Sequence, residues 1–436
     1  MESQASINPV TAIIAVCLVV VCFVVPRKYL LVPVILTACF LPADQRFMLG
    51  ELDFPIIRVM IIALALRLWV RGEIISVQWN GFDKVFIAWM AAGTIAYVLL
   101  WLTPGAVIYK CGRWLEVVGL YWVFRQTVRS WNDIGFAFVV LAICALLLTP
   151  FAAYESATGN NPFRALGRVH TVVRQGEYRC QASFPHSIIF GLFWAVNVPM
   201  FVAFVVRGWC RILFAAATAA SVFMIFITAS STPLGALIAG ALLLALYTWR
   251  QYTRSAIWAL VVMLTALHLI MNRPVWHLLS RIRLISGSTG YHRFHLIDQA
   301  VRHFGEWVVL GTRSTAHWGY GLFDVTNQYI AEGTMGGLAT LILFVVMVYR
   351  ASKIFLAGSL NPGAQVYRLI YWGLFVTMMA HCVSFLGVSY FGQISILWYM
   401  ILAVAALFYD QDAAAKASQS LEAQAHRRPV LSGVSG

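Results

Sequence analysis

Two stretches of the chain, residues 154–185 and 273–325, gather side chains suited to phosphate chemistry. The first carries Arg164, Arg168, His170, Arg174 and Arg179. The second carries Arg273, Arg281, Arg283, Arg293, Arg302 and Arg313, with His277, His292, His295, His303 and His317. Neither contains a lysine. A guanidinium presents a planar fork that matches phosphate oxygens, whereas a segment needing only solubility would use lysine freely. Two other uses stay open for any one of these arginines: lipid headgroups, and the few nearby carboxylates.

A second set of charges lies inside apolar stretches. Lys110, Arg113 and Glu116 recur every three residues, which keeps them broadly on one helical face. Arg58 sits near the end of its own apolar run, and Glu332 one to two turns into the run that follows residue 325. Ionisable groups at such depth are costly and usually face a wet cavity or the bundle interior. The set therefore predicts a polar cavity beneath the two arginine-rich segments. Arg113 with Glu116 also reads as a structural pair, and Lys110 as a side chain reaching back to the interface.

The elements that must position these groups are membrane helices. The sequence is 61% hydrophobic and only 11% charged, more apolar surface than a water-soluble domain can cover. Runs approaching the ~20 apolar residues that a bilayer-crossing helix needs recur along the chain. They fall at about 10–25, 29–42, 53–70, 84–103, 107–128, 133–153, 186–206, 212–229, 232–248, 255–271, 326–350, 366–388 and 393–409. The first two are short enough to form one hairpin dipping partway. The expected fold is all-α, a polytopic bundle of about 12–13 spans, and not a β-barrel of short alternating strands. It divides into N-terminal helices (1–153), a first loop (154–185), central helices (186–272), a large loop (273–325), C-terminal helices (326–409) and a disordered tail (410–436) bearing Arg427 and Arg428.

Charge sets the orientation. Alternate short loops hold Arg27, Lys28, Arg67, Arg71, Lys84, Arg125, Arg129, Arg207, Arg211, Arg250, Arg254, Arg350, Lys353 and Arg368. By the positive-inside rule that side is cytoplasmic, and both long loops fall outside. Much of the formal charge of +14 is thereby assigned to topology, and no nucleic-acid partner is expected. The first apolar run lacks a preceding basic region and reads as a retained helix. Most cysteines lie in or beside apolar runs, so no loop disulfide is expected, and no Cys/His spacing suggests a metal. No Gly-rich phosphate loop follows a strand, which excludes a nucleotide-driven pump on this chain. No ladder of carboxylates crosses the midplane and no inverted repeat is visible, which weakens a proton-coupled transporter.

Local motifs carry a resemblance. The second loop and its following helix read Tyr291-His292-Arg293-Phe294-His295-Leu296, Gly319-Tyr320-Gly321, Asp324-Val325-Thr326-Asn327-Gln328-Tyr329-Ile330, Glu332-Gly333 and Gly336-Gly337-Leu338. The first loop ends Arg179-Cys180-Gln181-Ala182-Ser183-Phe184-Pro185-His186, with Gly191 beyond, and a turn reads Ser230-Ser231-Thr232-Pro233-Leu234-Gly235. Over roughly residues 174–345 this resembles the O-antigen ligase/polymerase family of bacterial envelope glycan enzymes. Two departures stand out: Thr326 occupies the place of the family's His, and the Ser-Ser-Thr turn lacks its Arg.

The resemblance implies a GT-C-like membrane glycosyltransferase of the bacterial inner membrane with its active site facing the periplasm. Its donor would be a glycan on polyprenyl pyrophosphate, and its acceptor a glycan or lipid hydroxyl. Membrane lipids, and chain-length or export proteins of a polysaccharide pathway, are the other implied partners; no cofactor is implied. Arg174, Arg179, Arg293 and Arg313 are the expected pyrophosphate ligands. His317, Glu332 and Thr326 are the catalytic candidates, His317 first as base and Glu332 second, because a threonine hydroxyl is no base at neutral pH. Bland alternatives are a packing role for Glu332 and a surface role for His317. His186, His292, Asn327, Tyr329, Lys110, Arg113 and Arg58 are expected around the acceptor or the cavity. Tyr291, Trp307, Trp318, Tyr320 and Tyr329 could stack on sugar faces. Repeat-unit polymerase comes first, on the strength of Thr326; a ligase acting on lipid A core or protein, and a flippase of lipid-linked glycans, are the alternatives.

Overall fold

The computed structural model describes residues 7–49, 52–77, 79–168, 171–174, 176–281 and 290–409. His170, Arg283 and the tail 410–436, for which disorder is expected, lie outside the described residues. The helices are α1 (Pro9–Val24), α2 (Leu31–Phe40), α3 (Ile56–Val70), α4 (Gly81–Trp101), α5 (Pro104–Thr127), α6 (Trp131–Thr158), α7 (Ser187–Ala195), α8 (Val198–Arg207), α9 (Arg211–Phe226), α10 (Ser231–Ala245), α11 (Thr253–Ile270), α12 (Gly290–Arg302), α13 (Phe304–Trp307), α14 (Gln328–Leu360), α15 (Arg368–Phe385) and α16 (Ile394–Tyr409). Two antiparallel hairpins complete the described elements: β1 (Arg46–Leu49) with β2 (Leu52–Pro55), and β3 (Val172–Arg174) with β4 (Glu177–Arg179).

The chain is thus an all-α bundle with six helical stretches long and apolar enough to cross a bilayer. Three shorter apolar helices, α1, α9 and α16, stand beside them. Helix α2, at 10 residues, reaches only ~15 Å and does not span the hydrocarbon alone. Helix α11 is apolar yet buries no residue in the protein, as suits a face turned to lipid.

Hydrogen bonds sort the helix ends into two groups. At one end basic side chains donate to backbone carbonyls, several of them in the last turns of helices. Arg67, fully buried, donates to Cys22 O (3.2 Å) in the last turn of α1 and to Val25 O (3.0 Å) just beyond it, and pairs with Glu73. Arg27 donates to Thr127 O at 3.2 Å, Arg129 to Glu73 O at 2.8 Å, Arg250 to Ser359 O at 3.1 Å, and Arg350 to Gly81 O at 2.8 Å. The opposite end collects the long segments: Thr11 Oγ1 donates to Leu166 O (2.7 Å), Ser183 Oγ to Cys39 O (2.6 Å) and Arg313 Nη2 to Leu100 O (2.8 Å).

Those long segments are more ordered than bare loops. Helix α6 runs on to Thr158, so the first segment begins later than residue 154. Its Glu155, fully buried, accepts from Ala182 N at 2.8 Å, Gln181 N at 3.2 Å, Thr171 Oγ1 at 2.9 Å, Asn161 Nδ2 at 3.1 Å and Cys180 Sγ at 3.1 Å. One carboxylate thereby pins the whole return of the first segment. Within 273–325 the amphipathic helix α12 sets Leu296 and Ala300, one turn apart, into a small core with Trp307, Trp318 and Leu322. That unit docks into a break in α14. Leu338 N donates to Val308 O (2.9 Å), and Thr312 N to Thr334 O (2.8 Å). Gly337 sits there at φ +73, and a side chain on it would collide with the Val309 carbonyl.

Candidate functional site

Two of the predicted arginines meet at one stretch, residues 227–232, which runs from the end of α9 into the first turn of α10. Arg179 ends β4, and Cys180 N donates to Ile227 O at 3.2 Å. The Arg179 Nε–H then reaches Thr228 O at 3.3 Å. Arg293 comes from α12, and its Nη2 donates to Thr232 Oγ1 at 2.7 Å and Ser231 Oγ at 3.4 Å. Neither arginine pairs with a carboxylate among the described residues. Arg293 Nε is buried and has no hydrogen-bond partner. Burial pushes both guanidinium groups below their ordinary range, and Arg174 adds repulsion at Arg179. Arginine stays ionised regardless, so the turn carries positive charge that calls for an anion.

His186 caps α7, its Nδ1 accepting from Ile188 N at 3.0 Å. Burial, with Arg179, Arg168 and Arg174 nearby, pushes its pKa down to about 4. It is therefore neutral at pH 7 and adds no charge beside the arginines.

Cavities lined by charged and aromatic side chains lie among α3, α4, α5, α14 and the residues around 389–393. Two neighbouring pockets of about 320 Å³ each share Tyr109, Arg113, Phe391 and Gly392 in their walls. One pocket holds Lys110, Trp89, Gln328, Glu332 and Tyr390; the other holds Arg46, Arg58, Asp44 and Glu116. Glu332 is gripped on both oxygens, by Trp89 Nε1 at 2.8 Å and Gln328 Nε2 at 2.7 Å. Gln328 Oε1 accepts in turn from Tyr390 N at 2.6 Å. Glu116 accepts from Arg113 at 3.3 Å and Arg58 at 3.4 Å, so the structural pair foreseen for Arg113 and Glu116 forms in the cavity wall, joined by Arg58. Lys110 Nζ stands 4.6 Å from the Tyr97 ring centre, over its face.

The start of α14 joins turn and cavity. Asn327 caps it, accepting from Ile330 N at 3.1 Å and donating to Leu386 O at 3.4 Å. The next residue, Gly387, approaches so closely that a Cβ there would lie 3.2 Å from Arg293 Nε. Arg293 and Asn327 thus touch the same stretch, Leu386–Gly387, and Gln328 and Glu332 follow Asn327 on α14 into the cavity wall.

Several expected site residues go elsewhere. Arg313 is tied to the end of α4 through Leu100 O, with Trp101 beneath it, and does not join Arg179 and Arg293. His317 is 54% exposed, pairs with Glu306 at 2.8 Å and does not line the cavity. Tyr329 is a packing residue: its ring meets Phe344 and Phe385, and its hydroxyl donates to Cys382 O at 3.3 Å. Trp307 and Trp318 are likewise buried, their ring N–H groups spent on Ala300 O and Glu306, while Tyr291 and Tyr320 stay exposed. Thr326 is half-buried and shows only its backbone bond to Asp324 O at 3.0 Å. His292 lies half-buried beside Gly321, and Arg174 is exposed on β3. All eight cysteines are free thiols.

Trp89, Gln328 and Tyr390, which shape the surroundings of Glu332, escaped the sequence reading. The four-residue spacing of Gln328 and Glu332 was a usable signal; Trp89 and Tyr390 come from distant helices and loops and left none. Set against known proteins, the chain matches no family model and no curated protein.

Proposed function

We propose that the chain is a membrane-embedded glycosyltransferase, a repeat-unit polymerase that moves a glycan from polyprenyl pyrophosphate to the hydroxyl of a lipid-linked acceptor glycan. The observation that carries this reading is the pair of carboxylate-free arginines, Arg179 and Arg293, on one hydroxyl-bearing turn. Such a pair suits a diphosphate that gains charge as it leaves. Glu332, in the cavity wall with Lys110 and Arg113, takes the acceptor proton. In the reaction the acceptor O–H breaks to Glu332, the new bond forms at the anomeric carbon, and the pyrophosphate departs with the electrons of its C–O bond. Activation is already stored in the donor, so the reaction needs no nucleotide. His317 becomes the second-ranked base because it points to Glu306 and lies off the cavity.

Reconstitution in liposomes with a polyprenyl-pyrophosphate glycan tests the activity. A ladder of lengthening products is expected. A single transfer to a non-polymerising acceptor would instead establish a ligase. Passage of intact donor across the bilayer without a new glycosidic bond would establish a flippase.

The reading also fixes the side. Both long segments face the periplasm of the inner membrane, and the Arg-rich helix ends face the cytoplasm. Cysteines placed at exposed Tyr320 and Gly72, in a cysteine-free background, report on this. An impermeant maleimide is expected to label position 320 in intact spheroplasts, with the periplasmic face accessible, and position 72 only after permeabilisation. The reverse pattern would end the mechanism.

A further inference from the structure

We propose that His303, Glu306 and His317 form a binding site for a divalent transition-metal ion of the zinc class. Each offers one donor atom, and the three atoms lie within 4.8 Å of one another. It is the one group of three or more His, Cys, Asp or Glu side chains so disposed among the described residues. Two imidazoles and a carboxylate are a recurrent zinc ligand set, and three protein ligands leave a position for water.

The surroundings are those of a held site. Glu306 N donates to His303 O at 2.9 Å, which keeps these two ligands on one turn around α13. His303 directs Nδ1 to Gln299 O at 2.9 Å. A second ring nitrogen spent on a carbonyl is the usual way a ligating histidine is oriented, and it leaves Nε2 with the lone pair. Glu306 Oε2 is fixed by Trp318 Nε1 at 3.0 Å, and the Trp318 ring stacks on His303 at 5.3 Å between centres. Trp318 N donates to Thr315 O at 3.1 Å, and Trp318 itself is anchored in the small core beside Trp307. His317 Nε2 meets Glu306 Oε2 at 2.8 Å, the contact that an ion would bridge. A plain His–Glu pair would need only these last two residues. The third donor, turned to the same place by a backbone carbonyl, is what points to a metal. Exposure of His317 and Glu306 gives the ion a path from solvent.

The ion would staple α13 to the turn at 316–318 and hold the second long segment where it docks on α14. This inference does not depend on the glycosyltransferase reading, and its test needs no substrate. Full-length protein in nanodiscs, stripped with chelator, is titrated with Zn²⁺ against a chromogenic competitor. One tightly bound ion per chain is expected. H303A, E306Q and H317A should each weaken it at least about tenfold, whereas H277A, on the same segment, should not. Equal affinity in the triple variant, or no bound ion in the parent, overturns the proposal. If the variants fail to assemble by gel filtration, the parent loaded with Co²⁺ decides. X-ray absorption showing two imidazole ligands supports the site, and an oxygen-only shell rejects it.

Discussion

Arg293→Ala is expected to lower turnover of the lipid-linked donor by about 10²–10³-fold, with the protein assembling normally. The magnitude is that of removing one aligned donor from a developing oxyanion. Arg293 meets no carboxylate among the described residues, and its Nε, buried, has no partner. Its one good hydrogen bond goes to Thr232 Oγ1 at 2.7 Å, which orients the guanidinium without neutralising it. Arg293→Lys should recover little, because an ammonium cannot hold Thr232 and two phosphate oxygens with the geometry of a planar fork. The loss should fall on kcat more than on KM, since charge on the pyrophosphate grows as it leaves. Steady-state kinetics on the reconstituted enzyme read this directly. A normally assembled Arg293→Ala protein with full turnover would remove Arg293 from the site, and with it the observation on which the activity is proposed.

The all-α character of the bundle was legible because hydropathy reports burial in lipid without reference to partners, although six stretches among the described residues, against the 12–13 spans expected, are long and apolar enough to cross. Runs such as 84–103 and 107–128 settled within a few residues of α4 and α5. Where the reading failed, a side chain's fate depended on something far along the chain. Arg313 looks like its neighbours in sequence, but the end of α4, more than two hundred residues earlier, offers it a carbonyl. Tyr329 sits in a motif that suggests sugar contact, yet α14 turns it inward against Phe385. The segment 273–325 reads as a loop because it lies between apolar runs, although Leu296 and Ala300 carry the i, i+4 signature of a buried helical stripe. Glu155 shows the same limit from the other side. Nothing local marks it, and five donors, from Asn161, Thr171 and residues 180–182, converge on it.

The identity of the base separates the two catalytic candidates by their surroundings. Glu332→Gln is expected to cut turnover by about 10²–10⁴-fold, the usual worth of a positioned general base. His317→Ala and Thr326→Ala are expected to stay near the parental rate. Glu332 lines the cavity with Lys110 and Arg113, and Trp89 and Gln328 fix both its oxygens. Each oxygen keeps a lone pair for an acceptor hydroxyl, so the grip orients the carboxylate without using it up. Glutamine has the same shape and can still accept from Trp89, but its amide nitrogen would face the Gln328 Nε2 donor, so donor binding separates lost basicity from lost packing. His317 lies outside that cavity with its Nε2 against Glu306, and Thr326 carries a hydroxyl that cannot hold the proton. Donor binding measured beside turnover keeps the outcome clear. Glu332→Gln should bind donor as the parent does and fail only in transfer. If His317→Ala loses activity while His303→Ala keeps it, the base is in the second long segment and the cavity serves another purpose. If all three variants turn over normally, no side chain in this stretch takes the proton, and the rate rests on the two arginines and on the placement of the acceptor.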